Sequence, residues 1–102
     1  MHDPGILIAR GNLYLSRELY CAYFSGIESV ALIAEGRTLL IVPLMGGSVG
    51  GRLVKQRNLH GDRVIAAQEF LREHGIPDEV DPDAMVVRWN ARSAALAVEL
   101  AC

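Results

Sequence analysis

The sequence predicts a small, internally duplicated α+β domain in which each half runs strand, strand, helix, β-hairpin, the whole forming a mostly β layer or barrel with two short helices. Three observations carry that reading. Residues 30–44, VALIAEGRTLLIVPL, hold two runs of β-branched and aliphatic residues split by Glu35-Gly36-Arg37, which is hairpin punctuation. Two short helical patterns each end in Gly-Ile, at Gly26-Ile27 and Gly75-Ile76. Residues 45–51, MGGSVGG, separate the two as a glycine-rich linker inside a single domain spanning residues 1–102.

The chain opens with an apolar run, residues 5–10, that reads as a strand; Gly11-Asn12 punctuates it, and Leu13-Tyr14-Leu15 resumes in extended alternation. Ser16 is an N-cap, since a serine hydroxyl accepts from the exposed amides of a first helical turn. The helix runs to about Ser25, with Leu19 and Tyr23, and Tyr20 and Phe24, each four apart and on one face. The central hairpin follows. Its strands are almost wholly apolar instead of alternating, so both faces are expected to be covered, and Pro43, having no amide for a ladder, is expected to close the second strand.

Beyond the linker, residues 52–57 read as a strand, residues 58–62 as a turn, and Arg63-Val64-Ile65 as extended chain leading into a second helix from about Ala66 to His74, buried through Phe70 and Leu71. Its end is the sharpest local signal. Gly75 stands where a left-handed residue is needed, Ile76 is placed to pack back on the last turn, and Pro77 forbids continuation. Asp78, Glu79, Asp81 and Asp83 read as a solvated acidic loop. The chain finishes with residues 85–89, a turn around residues 90–93, and residues 95–100, where Leu96, Val98 and Leu100 alternate.

Residues 5–44 and 51–100 therefore repeat one order of elements. Gly11-Asn12 matches Gly61-Asp62, Glu18-Leu19-Tyr20 matches Glu69-Phe70-Leu71, and the turn Glu35-Gly36-Arg37 matches Asn90-Ala91-Arg92. A single unit of that size has too little core to stand alone, whereas two can bury their apolar faces against each other.

Composition narrows the classes of function. With 102 residues, 51% of them apolar, the chain can bury a core without disulfides or metal, and a net charge of −2 describes a surface not built as a whole for nucleic acid or anionic lipid. No apolar run approaches the roughly 18 residues that span a bilayer, and the N-terminus lacks a basic region followed by an apolar one, so the chain reads as cytoplasmic with no membrane partner. Cys21 falls in a helical pattern and reads as a buried small hydrophobe; Cys102 is the last residue.

The run Gly11-Asn12-Leu13-Tyr14-Leu15-Ser16-Arg17-Glu18-Leu19, with Gly26-Ile27 and the hairpin after it, and more loosely residues 61–100, resembles the swapped-hairpin unit of the AbrB, MazE and MraZ transcription-factor families. The chain is similar to MraZ in particular in holding two such units. That resemblance implies paired units, a dimer or other homo-oligomer, and duplex DNA as partner. Ser16 stands where those families usually have a proline before the helix.

Charge supplies the candidate site. Arg52, Lys55, Arg57, His60 and Arg63 lie within a dozen residues, opposed only by Asp62. On a strand Lys55 and Arg57 share one side while Val54 and Gln56 share the other, and a two-stranded basic ribbon can lie in a DNA groove and grip phosphates. Two other readings of the cluster stay open: a solvated face, or an edge strand charged against aggregation. The acidic loop at residues 78–83 is a candidate counterpart, within the chain or across a subunit contact. Enzyme readings fare poorly: His2, His60 and His74 are scattered, no nucleophile accompanies His60 and Asp62, and no cysteine or histidine spacing suits a metal. The expectation is a non-enzymatic binding module without cofactor or metal, taking DNA or else a protein partner. A small-ligand or catalytic domain using the glycine-rich loop stands third, because no Gly-Lys-Ser/Thr follows those glycines.

Overall fold

A computed structural model describes residues 5–46 and 50–101. Gly47, Ser48 and Val49 of the expected linker, together with His2 and Cys102, lie outside the described residues. Within them, nine strands make two antiparallel sheets, accompanied by two short helices. The four-stranded sheet contains β1 (Ile6–Ala9), β2 (Asn12–Leu15), β6 (Lys55–Gln56) and β7 (Arg63–Ala66), in the order β1-β2-β7-β6. The five-stranded sheet contains β3 (Ser29–Glu35), β4 (Thr38–Leu44), β5 (Arg52–Leu53), β8 (Met85–Asn90) and β9 (Ala95–Leu100), in the order β5-β3-β4-β9-β8. Helix α1 spans Arg17–Tyr23 and α2 spans Gln68–Glu73. The sheets remain open layers, so the alternative of a closed barrel is not realised. The expected strand at residues 52–57 is instead two short pieces in different sheets, and the chain crosses between them at Val54, whose N–H donates to the Glu28 carbonyl at 2.8 Å.

Local chemistry explains the element boundaries. Ala9 pairs with Asn12, leaving Arg10-Gly11 as a two-residue turn in which both φ angles are positive (53° and 75°), as a twist-matched hairpin turn requires. Ser16 caps α1 as expected, its Oγ accepting from the Leu19 N–H at 3.1 Å. The helix stops earlier than the sequence suggested, with Phe24 as its C-cap. Helix α2 begins late for a different reason. Ala66 pairs with Asn12, so strand pairing wins over helix propensity there, and Ala67, whose N–H donates to the Gly11 carbonyl at 3.0 Å, is the N-cap of α2. The α2 terminus holds as read, with the Ile76 N–H on the Leu71 carbonyl at 2.8 Å and Gly75 at φ 68°.

Three expectations about burial and strand ends need correction. Pro43 does not close β4, which runs to Leu44; the β9 ladder covers only Thr38 to Ile41, so at Pro43 the strand has one neighbour and the missing amide breaks no ladder bond. The hairpin is not covered on both faces. One face, through Val30, Leu39 and Ile41, joins the main core, while the other carries only a small cluster of Leu40, Ala95 and Ala97, and Ile33 is 43% exposed. Cys21, expected to be buried, is exposed on α1, whereas the acidic side chains of residues 78–83 are exposed as read, with Asp81 also capping a 3-10 turn at Pro82–Ala84.

One main core joins the inward faces of both sheets with the helices: Leu13, Leu15 and Ile65 from one sheet, Leu96 and Val98 from the other, and Phe24, Phe70 and Leu71 from the helical segments. No helix of the described residues is long and apolar enough to cross a membrane.

Candidate functional site

Strand pairing decides where the five predicted cations point. Lys55 pairs with Val64, Val64 with Tyr14, and Tyr14 with Leu7, so these side chains form one row on the outward face of the four-stranded sheet. Gln56 pairs with Arg63, and Arg63 with Leu15, which places Arg63 on the opposite, core-facing side. There its guanidinium lies over the Tyr20 ring, 4.3 Å from the centroid, and its Nε is buried without a hydrogen-bond partner. Arg52 is also diverted. It donates to the Ala66 carbonyl at 3.3 Å, and its guanidinium lies 5.7 Å from the centre of the Phe70 ring. Both arginines roof the core, each stacked contact stabilising by about 0.5–1 kcal/mol near the surface. A single five-cation surface is thus not formed.

Lys55 and Arg57 share the outward side of the β6–β7 hairpin, and His60 lies in its turn beside Glu18 of α1. Lys55 is exposed, and Arg57 lies 4.4 Å from the centre of the Tyr14 ring. The His60 Nε2 is 3.9 Å from the Glu18 carboxylate, with both side chains largely in solvent. Arg17, which sequence reasoning missed, joins them from the first residue of α1. Its N–H donates to Asp62 Oδ1 at 2.9 Å, and its side-chain stem runs past Gly61, where a Cβ would come within 3.3 Å of Arg17 Cδ. Nothing local in the sequence marks Arg17; it arrives through the pairing of β2 with β7, which joins strands distant in the chain.

The turn that carries these groups is tightly held. Arg57 N–H donates to the Asp62 carbonyl at 2.7 Å, and Gln56 Nε2 donates to the Asn58 carbonyl at 2.8 Å. Asn58 Oδ1 accepts from the N–H groups of Gly61 and Asp62, both at 3.1 Å, while Asn58 Nδ2 donates to Asp62 Oδ2 at 3.0 Å. The Asn58 amide and the Arg17 N–H, both donating to the ionised carboxylate, hold Asp62 below its ordinary pKa. Leu59 stands fully exposed at the tip. Beside the turn is a cleft of about 260 Å³ lined by Leu7, Tyr14, Ser16, Arg57, Asp62 and Pro82.

Among the described residues, Arg88 pairs with Glu99 and His60 lies beside Glu18, an ion pair only when the imidazole is protonated, and neither contact ties the basic hairpin to the acidic loop at residues 78–83. Lys55, Arg57 and Arg17 accordingly have no carboxylate within ion-pair distance among those residues. Of the glycine-rich stretch, Gly51 has a packing role: a Cβ there would lie 2.6 Å from Leu44 Cδ1 and 3.1 Å from Ser29 Cβ. No family model matches the chain, and no curated protein and no solved structure matches it.

Proposed function

We propose that the protein is a non-enzymatic binding module of swapped-hairpin type that holds duplex DNA at the outward end of the β6–β7 hairpin. The observation that carries this reading is the grouping of Lys55, Arg57 and Arg17 around one hydrogen-bonded turn, their side chains having no carboxylate within ion-pair distance among the described residues although Asp62 sits in the same turn. Cations left unpaired beside a pre-formed backbone can accept phosphates and release counterions at little reorganisation cost. His60 adds a further donor at the same edge. Arg52 and Arg63 are left out of the contact surface because both roof the core.

The paired strand orders support an internal duplication behind this module. Reading outward from the centre, β2-β1 and β7-β6 flank one junction, and β4-β3 and β9-β8 flank the other, with β5 beside β3 as an extra strand that has no counterpart beside β8. The register adds to that support: Leu13 pairs with Ile65 and Leu15 with Arg63 about a central Tyr14–Val64 pair, the pattern expected of two equivalent units related by a twofold axis. An interaction subunit that takes a protein partner is the second reading, favoured by the diversion of two arginines from the surface and by the exposed Leu59.

The test is a mobility shift at low salt against duplexes of unrelated sequence. Wild type should retard them and the double variant Lys55→Ala/Arg57→Ala should do so far less. Retardation unchanged in the double variant would move the contact surface elsewhere.

A further inference from the structure

We infer that the turn between β6 and β7 is an apolar wedge, in which Leu59 inserts between neighbouring base pairs of the bound duplex while Arg57 and Arg17 hold phosphates on either side; this rests on the DNA-binding reading above. The first observation is Leu59 itself, whose relative exposure is 102%, so the fold gains nothing from its hydrocarbon. Singly exposed leucines are ordinary on protein surfaces and need no explanation when their backbone is free to move. This backbone is not free. Asn58 and Asp62 bracket Leu59 with mutual side-chain and backbone hydrogen bonds, Arg57 closes the base of the turn, and Asp62 is anchored in turn to the start of α1. A side chain held in this way binds without losing the conformational freedom of its loop.

The second observation is what flanks the tip. Arg57 precedes Leu59 by two residues and rests on Tyr14, which fixes its direction. The exposed Arg17 comes to the same turn at Gly61, where φ is 105° and no Cβ pushes the Arg17 stem away. Asp62, the nearest carboxylate in the turn, has both oxygens engaged in holding it together. An exposed apolar tip in a turn that also carries two exposed arginines has the chemistry of side chains that unstack a base step and kink a duplex, with phosphate contacts gripping the backbone as the step opens. An apolar pocket on a protein would accept the leucine but leave the flanking cations unused, so a polyanion is the better match.

The experiment uses a short duplex with a donor and an acceptor dye at its ends, titrated with wild type, Leu59→Ala and Leu59→Met. Wild type and Leu59→Met should bring the ends together by a bend of about 20° or more. Leu59→Ala should leave the duplex straight, bind at least about tenfold more weakly, and keep the wild-type salt dependence, because its phosphate contacts remain. Leu59 makes no core contact, so the urea midpoint of Leu59→Ala should match wild type. Binding without bending, or Leu59→Ala indistinguishable from wild type, overturns the wedge and leaves phosphate binding standing. Absence of any binding by wild type at low salt overturns both, and Leu59 then becomes an anchor for a protein pocket.

Discussion

Phe24→Ala should be among the most damaging single substitutions in the chain. Phe24 has 0% exposure and ends α1, its N–H donating to the Tyr20 carbonyl at 2.7 Å. Its ring meets the Trp89 ring edge-on, with centroids 6.4 Å apart and planes at 84°, while Tyr23 stacks on Trp89 at 5.2 Å and 4°. Truncating a buried phenylalanine to alanine costs about 3–5 kcal/mol, and an edge-to-face aromatic pair adds about 0.5–1.5 kcal/mol beyond area burial. Complete burial and the fixed helix end leave little room for collapse into the void, so the loss should be about 4–5 kcal/mol. A domain of this size has only about 5–15 kcal/mol in total, so the variant should be close to unfolding. Urea denaturation followed by far-ultraviolet circular dichroism measures the loss as a lowered midpoint with an unchanged slope. Trp89, the sole tryptophan, reports the same site by fluorescence. A loss below roughly 1 kcal/mol would refute the reasoning, because it would mean that Phe24 does not fill the space between α1 and β8.

Phe70→Ala should cost about 3 kcal/mol, the low end of the same range, because Arg52 and His74 roof the ring and can settle into the space; the same denaturation assay measures it. Gly11→Ala should destabilise by more than about 1 kcal/mol, because φ is 75° and the new Cβ would lie 2.8 Å from Gln68 Cβ, whereas Gly26→Ala, at φ 78° but with open space, should cost less; equal midpoints for the two variants would contradict the packing part of that argument. The depressed Asp62 pKa fixes a pH dependence. Its stabilisation of the turn should be complete above about pH 4, near its unfolded value, and lost as pH falls through the lower folded value. Amide resonances of Arg17 and Gly61 followed through an acid titration should move with a midpoint below the ordinary aspartate value of 3.8, and a midpoint at or above that value would contradict the hydrogen-bonded carboxylate.

Much of the fold was legible because local chemistry fixed it. Ser16 as a cap, Gly75-Ile76 as a helix stop and the turns read at residues 35–37 and 90–93 each needed only neighbouring residues; the cap and the stop hold, and the turns fall at residues 36–37 and 91–94. Errors came where a distant strand intervened. Ala66 looks helical in isolation, but its pairing with Asn12 keeps it in β7, and Ala67, bonded to Gly11, becomes the helix N-cap. Residues 52–57 look like one strand, but β3 and β7 each take two residues of it. The site was half legible for the same reason. Alternation correctly put Lys55 and Arg57 on one side, yet the side on which Arg63 falls depends on its pairing with Leu15, and Arg52 is drawn to Phe70 across a loop and a helix. Arg17 could be added only after β2 and β7 were paired.

The salt dependence of duplex affinity tests directly which arginines face a polyanion. The slope of log affinity against log salt should flatten by about 0.9 for each lost phosphate contact, so Lys55→Ala and Arg57→Ala should each flatten it by roughly that amount. Arg63→Ala should leave the slope as in wild type and instead lower the urea midpoint, since its guanidinium lies on Tyr20 in the core-facing row. A slope flattened by Arg63→Ala and untouched by Arg57→Ala would contradict the division of the basic cluster between the two faces of the sheet.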